Sequence, residues 1–416
     1  MPVALFGLSY KTAPLELREA VSFDAAALEA ALPSLTCDPA LREAVVVSTC
    51  HRTEIYTELS DPVAAKEHAM SWLADQRGVP RRAFVQHVYH RFDRDAAQHL
   101  FRVAAGLDSM VLGEEQILGQ VRDAFNVARH AGTVRTRLDA TFRRALTAGK
   151  RARTETSINR QSVSIGTIAA DLARQGLGTL EGRRILVVGA GEMSELAARE
   201  LLRQGASELT VANRSPERAR KLAALPGVSV VALDAIAGLL PEMDIVITST
   251  GAGHHLLTAD MLADRTAPLV VIDLGLPRDV EPAAGELPNV RLYNLDQLDE
   301  ALAAREHPKA DDVASVERIV GEELEQWDRW HASLGVVPTV SAITARAETV
   351  RMGELAKTMS RLGHLSERDR QEVAALALAI ERKLLHRPID RLKSGQLPEG
   401  YLEMARDLFG VEDIAE

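Results

Sequence analysis

The chain opens on a short apolar run, "PVALFGLSY", which predicts a strand, and "PLELREAVSF" follows as a helix entry with Pro14 near its first turn. A second apolar run, "EAVVVSTC", has the length and composition of a buried strand. Directly after it, in "RTEIYTEL", Thr53, Ile55, Thr57 and Leu59 alternate with Glu54, Tyr56 and Glu58, the period-2 pattern of a further strand. Cys50 therefore falls between two strands. A helix from about Pro62 to Gln76, a strand around Phe84 to Tyr89 and a helix from Asp93 to Ala105 complete an α+β unit of ferredoxin-like order. Beyond "AGLDSMVLGEEQILGQ" the pattern stays helical.

A different alternation begins at "GRRILVVGAGEMSELAARELLRQGASELTVANRS". A buried strand, Ile185 to Val188, runs into the turn Gly189-Ala190-Gly191 and then into a helix with Leu196, Ala197, Leu201 and Leu202 at helical spacing; a strand, Leu209 to Ala212, follows. That context makes a glycine turn a specific sign of dinucleotide binding. "DIVITST" and "LVVIDLG" supply two more continuous apolar strands, as a parallel sheet covered on both faces requires. The last region is helical: Val313, Val316, Val320, Trp327, Trp330 and Leu334 fit a 3-4 repeat that predicts one long helix, and "SAITARAETVRMGELAKTM" and "RQEVAALALAIERKLLHRP" continue in helical period. Their narrow apolar stripes need burial, which predicts a dimer formed through this end. The fold class expected is thus multidomain α/β: residues 1–160 a ferredoxin-like α+β domain, 161–300 a Rossmann domain, and 301–416 a long helix with an all-α dimerisation domain.

Composition narrows the classes. With 46% apolar and 26% charged residues, the chain of 416 residues reads as an ordinary globular protein of two or three domains. Its N-terminal stretch meets Lys11 too soon for a signal peptide, and no run approaches a membrane span, so a cytoplasmic location is expected. Two cysteines, Cys37 and Cys50, exclude a disulfide framework and any cysteine-based zinc site; no metal site is expected. The net charge of −10 conceals a local excess, nine basic against two acidic residues between Arg129 and Arg160, which suits either a phosphate backbone or a solvated helix face.

The second strand of the nucleotide unit ends in "VANRSPER". Asn213, Arg214 and Ser215 stand where an NAD site would place an acid, and the arginine favours the 2′-phosphate of NADP(H). Ser194 replaces the third glycine of the fingerprint with another small residue. A thiol together with a nicotinamide suggests acyl chemistry, in which a thiolate attacks an activated carboxyl and the resulting thioester is reduced to an aldehyde. On a strand, Cys50 and Arg52 would face one pocket, where Arg52 could hold a carboxylate.

These residues, together with "GLSYKTAPLELRE", "STCHRTEIY", "GLDSMVLGEEQILGQV", "KRARTETSI", "VVGAGEMSELAARELL", "IDLGLPRDVEP" and "KLLHRPIDRLK", make the chain resemble the glutamyl-tRNA reductase family along nearly its whole length. The resemblance implies that Cys50 attacks the ester joining glutamate to its tRNA, releasing the tRNA, and that NADPH reduces the thioester to glutamate 1-semialdehyde, the first step of five-carbon tetrapyrrole synthesis. It implies that the domain of residues 1–160 is catalytic and that the long helix of residues 301–416 is a spinal one. It implies substrate contacts from Thr49, His51, Arg52, Ser109, Glu114, Gln116 and Gln120, a weaker one from Glu115, and a general-base or orienting role for His99. Gly189, Ala190, Gly191, Glu192, Met193, Ser194, Asn213, Arg214 and Ser215 match the nucleotide site already deduced. Glutamyl-tRNA(Glu), a second copy of the chain and glutamate-1-semialdehyde aminomutase are the implied partners. One position departs from the family: His51 stands where asparagine is usual. If the strand continues through it, His51 points away from Cys50; if the chain turns there, an imidazole adjoins the thiol. A dehydrogenase of shikimate-dehydrogenase type and a non-catalytic tRNA-binding homologue are the competing readings.

Overall fold

The computed structural model describes residues 2–109, 112–158, 165–189, 191–214, 227–304, 310–393 and 400–411. The chain divides into two compact units, residues 1–321 and 322–416. The first contains both sheets. Its N-terminal part runs β1 (Val3–Ser9), α1 (Leu15–Val21), α2 (Ala25–Leu35), β2 (Leu41–Ser48), β3 (Arg52–Leu59), α3 (Pro62–Arg77), the short helix α4 (Arg81–Phe84), β4 (Tyr89–Phe92) and α5 (Asp93–Ala104). The strand order is β2-β3-β1-β4 with every neighbouring pair antiparallel, the ferredoxin-like arrangement expected from the pattern. The strand expected around Phe84 to Tyr89 starts at Tyr89 instead: Phe84 ends a helical turn and is buried, so its bulk fills the core rather than extending the sheet.

Helices α6 (Glu115–His130) and α7 (Thr136–Glu155) follow and cover this sheet: Tyr56 of β3 meets Phe142 of α7 edge-on, and Phe142 stacks on Phe125 of α6. β3 is consequently buried on both faces. The alternation in "RTEIYTEL" therefore separates two packed layers, with no solvent face. Gly149 of α7 explains how closely that helix approaches α5, since a side chain there would lie 2.4 Å from the Ala104 carbonyl.

After α8 (Ile165–Leu177) come β5 (Arg184–Val188), α9 (Glu192–Arg203), β6 (Glu208–Ala212), β7 (Val228–Val231), β8 (Ile245–Thr248), β9 (Leu269–Asp273) and β10 (Val290–Tyr293). They form one parallel sheet in the order β10-β9-β8-β5-β6-β7, the doubly wound arrangement whose chain direction reverses between β5 and β8. Apolar clusters lie on both faces, which is why these strands read as unbroken hydrophobic runs.

The helix Ala310–Arg361 begins in the first unit; the second holds its remainder with the helices Glu367–Lys393 and Tyr401–Phe409. Of the expected seam, Val316, Val320 and Trp327 are buried, while Val313, Trp330 and Leu334 are half-buried. Within the second unit the core is small, Val336, Ile343, Leu392 and Ala405, and Val350, Leu376, Ile380, Leu384 and Leu408 remain exposed. No helix among the described residues is long and apolar enough to cross a membrane.

Candidate active site

Strands β2 and β3 are joined by Thr49, Cys50 and His51. The Thr49 amide donates to the Arg52 carbonyl (2.8 Å), the His51 amide donates to the Thr49 hydroxyl (3.2 Å), and the Tyr10 amide donates to the His51 carbonyl (2.8 Å). The Cys50 carbonyl accepts from Nη1 of Arg18 (2.7 Å), a residue of α1 that is only 2% exposed. The backbone of the cysteine is thus held from several sides. The chain turns at His51, so the imidazole adjoins the thiol: Nδ1 lies 3.5 Å from Cys50 Sγ, and the ring packs edge-on against Tyr10.

Thr49 and Cys50 line a cavity of about 490 Å³ together with Arg77, Gln120, Met193, the segment Ser249–Gly253 and the segment Leu274–Pro277. A second cavity of about 380 Å³ is lined by Gly189, Gly191, Asn213, Arg214 and again Ser249–Ala252. Gln116 and Gln120 line a third, about 660 Å³, with Arg153, Met193 and Ser249. Ser249 lies on all three. The cysteine loop, the glutamines of α6 and the nucleotide turn therefore line neighbouring cavities that share Ser249, at the end of β8, where a doubly wound sheet binds its ligands.

On the nucleotide side, Gly189 has φ +96°, and a Cβ there would lie 2.5 Å from the Ser249 carbonyl oxygen; a Cβ at Gly191 would lie 2.7 Å from Ser249 Oγ. Both glycines thus let β5 and β8 approach at the crossover. Ser194 is fully buried and its hydroxyl donates to the Gly191 carbonyl (2.9 Å), so the replacement of the third glycine closes the first helical turn. Asn213 is half-buried and Arg214 exposed at the end of β6. Arg214 thus presents an exposed guanidinium on the cavity that Gly189 and Gly191 also line. Ala190 and Ser215, the side chains of Glu115 and Glu192, and Arg160 lie outside the described residues.

Arg52 is not on the cysteine cavity. It is 2% exposed and turned inward, where Nη1 donates to Glu54 Oε1 (2.7 Å) and Nη2 to the Asp108 carbonyl (2.5 Å). Because β3 begins at Arg52, its side chain joins the face shared with Glu54 and Tyr56, beneath α5 and α7. His99 is buried there too: Nε2 lies 2.8 Å from Glu54 Oε1 and Nδ1 3.6 Å from Asp108 Oδ2. Both ring nitrogens of His99 thus face carboxylates of this buried cluster. Burial would raise Glu54, but Arg52, His99 and the Tyr56 hydroxyl hold it well below the usual carboxylate range. Burial and this carboxylate together push Tyr56 and Tyr89 well above an ordinary phenol. Asp108 also faces Lys11 (3.0 Å) and Arg102 (3.3 Å), and despite its burial these cations lower it. Ser109 is buried, and its hydroxyl has no partner among the described residues.

The basic stretch is less available to phosphate than its charge suggests. Arg137 pairs with Glu58 (2.7 Å), and Arg153 donates to the carbonyls of Ala104, Gly149 and Glu114. Arg143 and Arg151 pair along α7 with Asp139 and Glu155, whereas Lys150, Arg135 and Arg129 are exposed. Several contributors escaped the sequence pattern: Arg18, Arg77, the loop after β8 and the loop after β9. The two loops had one available signal, their position at the C-terminal ends of parallel strands.

Comparison with known proteins places these features in a wider group. Family models described as "Glutamyl-tRNAGlu reductase, N-terminal domain", "Shikimate / quinate 5-dehydrogenase" and "Glutamyl-tRNAGlu reductase, dimerisation domain" match residues 6–156, 171–301 and 315–411. The shikimate-type likeness is thus confined to the nucleotide-binding part. A glutamyl-tRNA reductase of Desulforudis audaxviator is 41% identical over 99% of this chain and 94% of its own length; one of Moorella thermoacetica is 40% identical over 98% and 95%. Among solved structures, glutamyl-tRNA reductase from Methanopyrus kandleri is 30% identical, with 98% of this chain and 97% of that one covered and a TM-score of 0.51.

Proposed function

We propose, from the premise that this chain belongs to the glutamyl-tRNA reductase family, that it is an oxidoreductase converting glutamyl-tRNA(Glu) to glutamate 1-semialdehyde with NADPH, the first step of tetrapyrrole synthesis. The observation that carries this reading is the shared wall: the cavity of the Cys50 loop and that of the nucleotide turn are both lined by Ser249–Ala252.

In the first half-reaction the Cys50 thiolate attacks the carbonyl carbon of the aminoacyl ester. A C–S bond forms, the C–O bond to the 3′ ribose breaks, and the ribose oxygen leaves with the proton the thiol gave up. His51 Nδ1, 3.5 Å from the sulfur, is placed to carry that proton. Thr49, Gln116 and Gln120 present hydroxyl and amide groups suited to a polar amino-acid substrate, and Ser109 and Glu114 flank the same segment. When bound, the nicotinamide supplies the hydride that reduces the thioester to the aldehyde. The C–S bond then breaks and the sulfur recovers a proton from solvent. Arg52 and His99 act from beneath, by fixing the strand on which the cysteine turn sits.

Exposed Lys150, Arg135 and Arg129 supply the phosphate contacts of the tRNA, which predicts affinity that falls steeply with salt. The exposed apolar stripe of the second unit is covered by a second copy in a homodimer, and the aldehyde passes to an aminomutase. The test is intact-mass analysis after mixing with glutamyl-tRNA in the absence of NADPH. A glutamyl adduct, or release of free glutamate, that disappears in Cys50→Ser and gives way to semialdehyde on adding NADPH is the expected result. Turnover that survives Cys50→Ser refutes the reading.

A further inference from the structure

The segment "IDLGLPRDVEP" supplies a cavity wall and carries two buried carboxylates, Asp273 and Asp279. Asp273, at the end of β9, accepts from the Thr248 hydroxyl (2.7 Å) and from the amides of Gly275 (3.0 Å) and Val280 (3.0 Å). Asp279, fully buried, accepts from the Thr250 amide (2.6 Å) and from the Thr250 hydroxyl. The two carboxylates thus tie the loop after β9 to the loop after β8, and both loops face Cys50. The residue projecting from this clamp is Arg278. Its backbone amide donates to Glu19 Oε1 (2.7 Å), and its guanidinium takes Glu19 through Nε (3.0 Å) and Nη2 (2.9 Å) and reaches Glu16 (3.3 Å). Arg278 is 16% and Glu19 12% exposed, so the pair is largely shielded from water and salt.

Glu19 belongs to α1, and its neighbour Arg18 holds the Cys50 carbonyl and pairs with Asp296 at the start of the helix Leu295–Ala303. One helix of seven residues therefore grips the cysteine loop through Arg18 and the nucleotide-binding part through Glu16, Arg18 and Glu19. We propose that Arg278 is a positioning residue for the reductive half-reaction: its grip on Glu19 fixes the distance between the wall Leu274–Pro277 and the helix that holds Cys50, and hence the approach of the nicotinamide to the thioester. The inference rests on the reading of the preceding subsection. Acyl transfer to Cys50 needs no such registration, because it is completed before the cofactor acts. Hydride transfer does, and a displacement of about 1 Å at a reacting pair costs on the order of a hundredfold.

The two half-reactions separate the roles. Full-length wild type, Arg278→Gln, Arg278→Lys and Glu19→Gln would be given glutamyl-tRNA, first without NADPH to measure Cys50-dependent deacylation, then with NADPH to measure the ratio of semialdehyde to free glutamate. NADPH binding would be followed separately by its fluorescence. Arg278→Gln and Glu19→Gln are expected to shift the product ratio about tenfold or more towards glutamate, with deacylation and NADPH affinity within about twofold of wild type. Arg278→Lys keeps the charge but not the two-pronged geometry and should recover part of the loss. An unchanged product ratio, or deacylation that falls in step with reduction, overturns the proposal. Failure of wild type itself to deacylate through Cys50 would instead refute the reading of the site.

Discussion

Replacing Glu54 by glutamine removes one proton's worth of charge and almost no volume. The carboxylate it removes is fully buried and accepts from Arg52 Nη1 (2.7 Å), the Tyr56 hydroxyl (2.6 Å) and the Tyr89 hydroxyl, with His99 Nε2 at 2.8 Å. Glutamine retains one acceptor oxygen and turns an amide NH2 into a cluster of donors, of which Arg52 has nothing to accept with. Arg52 is left charged at a site only 2% exposed. Removing one partner of a buried ion pair costs about 3 to 5 kcal/mol, a large share of the roughly 5 to 15 kcal/mol that holds a domain together. Native-state hydrogen exchange at the amides of β3 and α5 reads that loss locally, without requiring the whole chain to unfold in one step. Replacing Arg52 and Glu54 together by methionine should cost less than Glu54→Gln alone, because no orphaned charge remains. The pH dependence has a definite sign. The folded value of Glu54 lies below its ordinary value of 4.5, so its contribution is complete above about pH 5 and is lost as pH falls through the folded value. The gap between wild type and Glu54→Gln should therefore stay constant from neutral pH down to about 5 and narrow only in acid. A loss below about 1 kcal/mol at neutral pH, or a gap that closes between pH 7 and 6, would refute the reasoning.

Three further outcomes follow from the site. In a Cys37→Ser background, His51→Asn should slow alkylation of Cys50 by iodoacetamide several-fold near neutral pH, since it removes the imidazole 3.5 Å from the sulfur; an unchanged rate would show that the contact does not assist the thiol. Gly189→Ala forces a side chain against the Ser249 carbonyl at a φ of +96°, and NADPH affinity measured by fluorescence should fall at least about tenfold. Burial pushes Asp273 up to about 6 from 3.8, so its ionisation is a penalty that is complete above the folded value and relieved as pH falls towards the unfolded one. Thermal unfolding should accordingly show wild type gaining on Asp273→Asn between pH 7.5 and 5, by on the order of 1 to 3 kcal/mol.

The doubly wound sheet was legible because parallel strands buried on both faces leave no polar positions to confuse the period, and because the Gly189 turn sits between a strand and a helix. Cys50 was legible as an inter-strand residue for the same reason: the apolar run stops before it and alternation starts after it. Arg52, Glu54 and His99 were not. An arginine and a glutamate in alternating register look like a solvated face, and only the later helices α5 and α7, laid over that face, make the pair internal. The strand at Phe84 failed similarly, since a buried aromatic is compatible with either element and the short helix α4 claimed it. The loops after β8 and β9 carry no motif of their own chemistry; strand order alone brings them to the cysteine. Here the family resemblance added substrate and partner identities that spacing could not supply.

That Ser249, Thr250, Gly251 and Ala252 form a wall common to two cavities bears on inhibition. A single compound could occupy both by crossing this ridge, with an electrophile near Cys50 at one end and a phosphate near Arg214 at the other. Tethering the two ends replaces a second bimolecular encounter by an intramolecular one, at an effective concentration in the millimolar range for a short flexible linker. Two weak fragments joined over Ser249 would then act as one strong ligand. Enzymes that share only the nucleotide fold, and lack the cysteine on the far side, would bind no more than half of it.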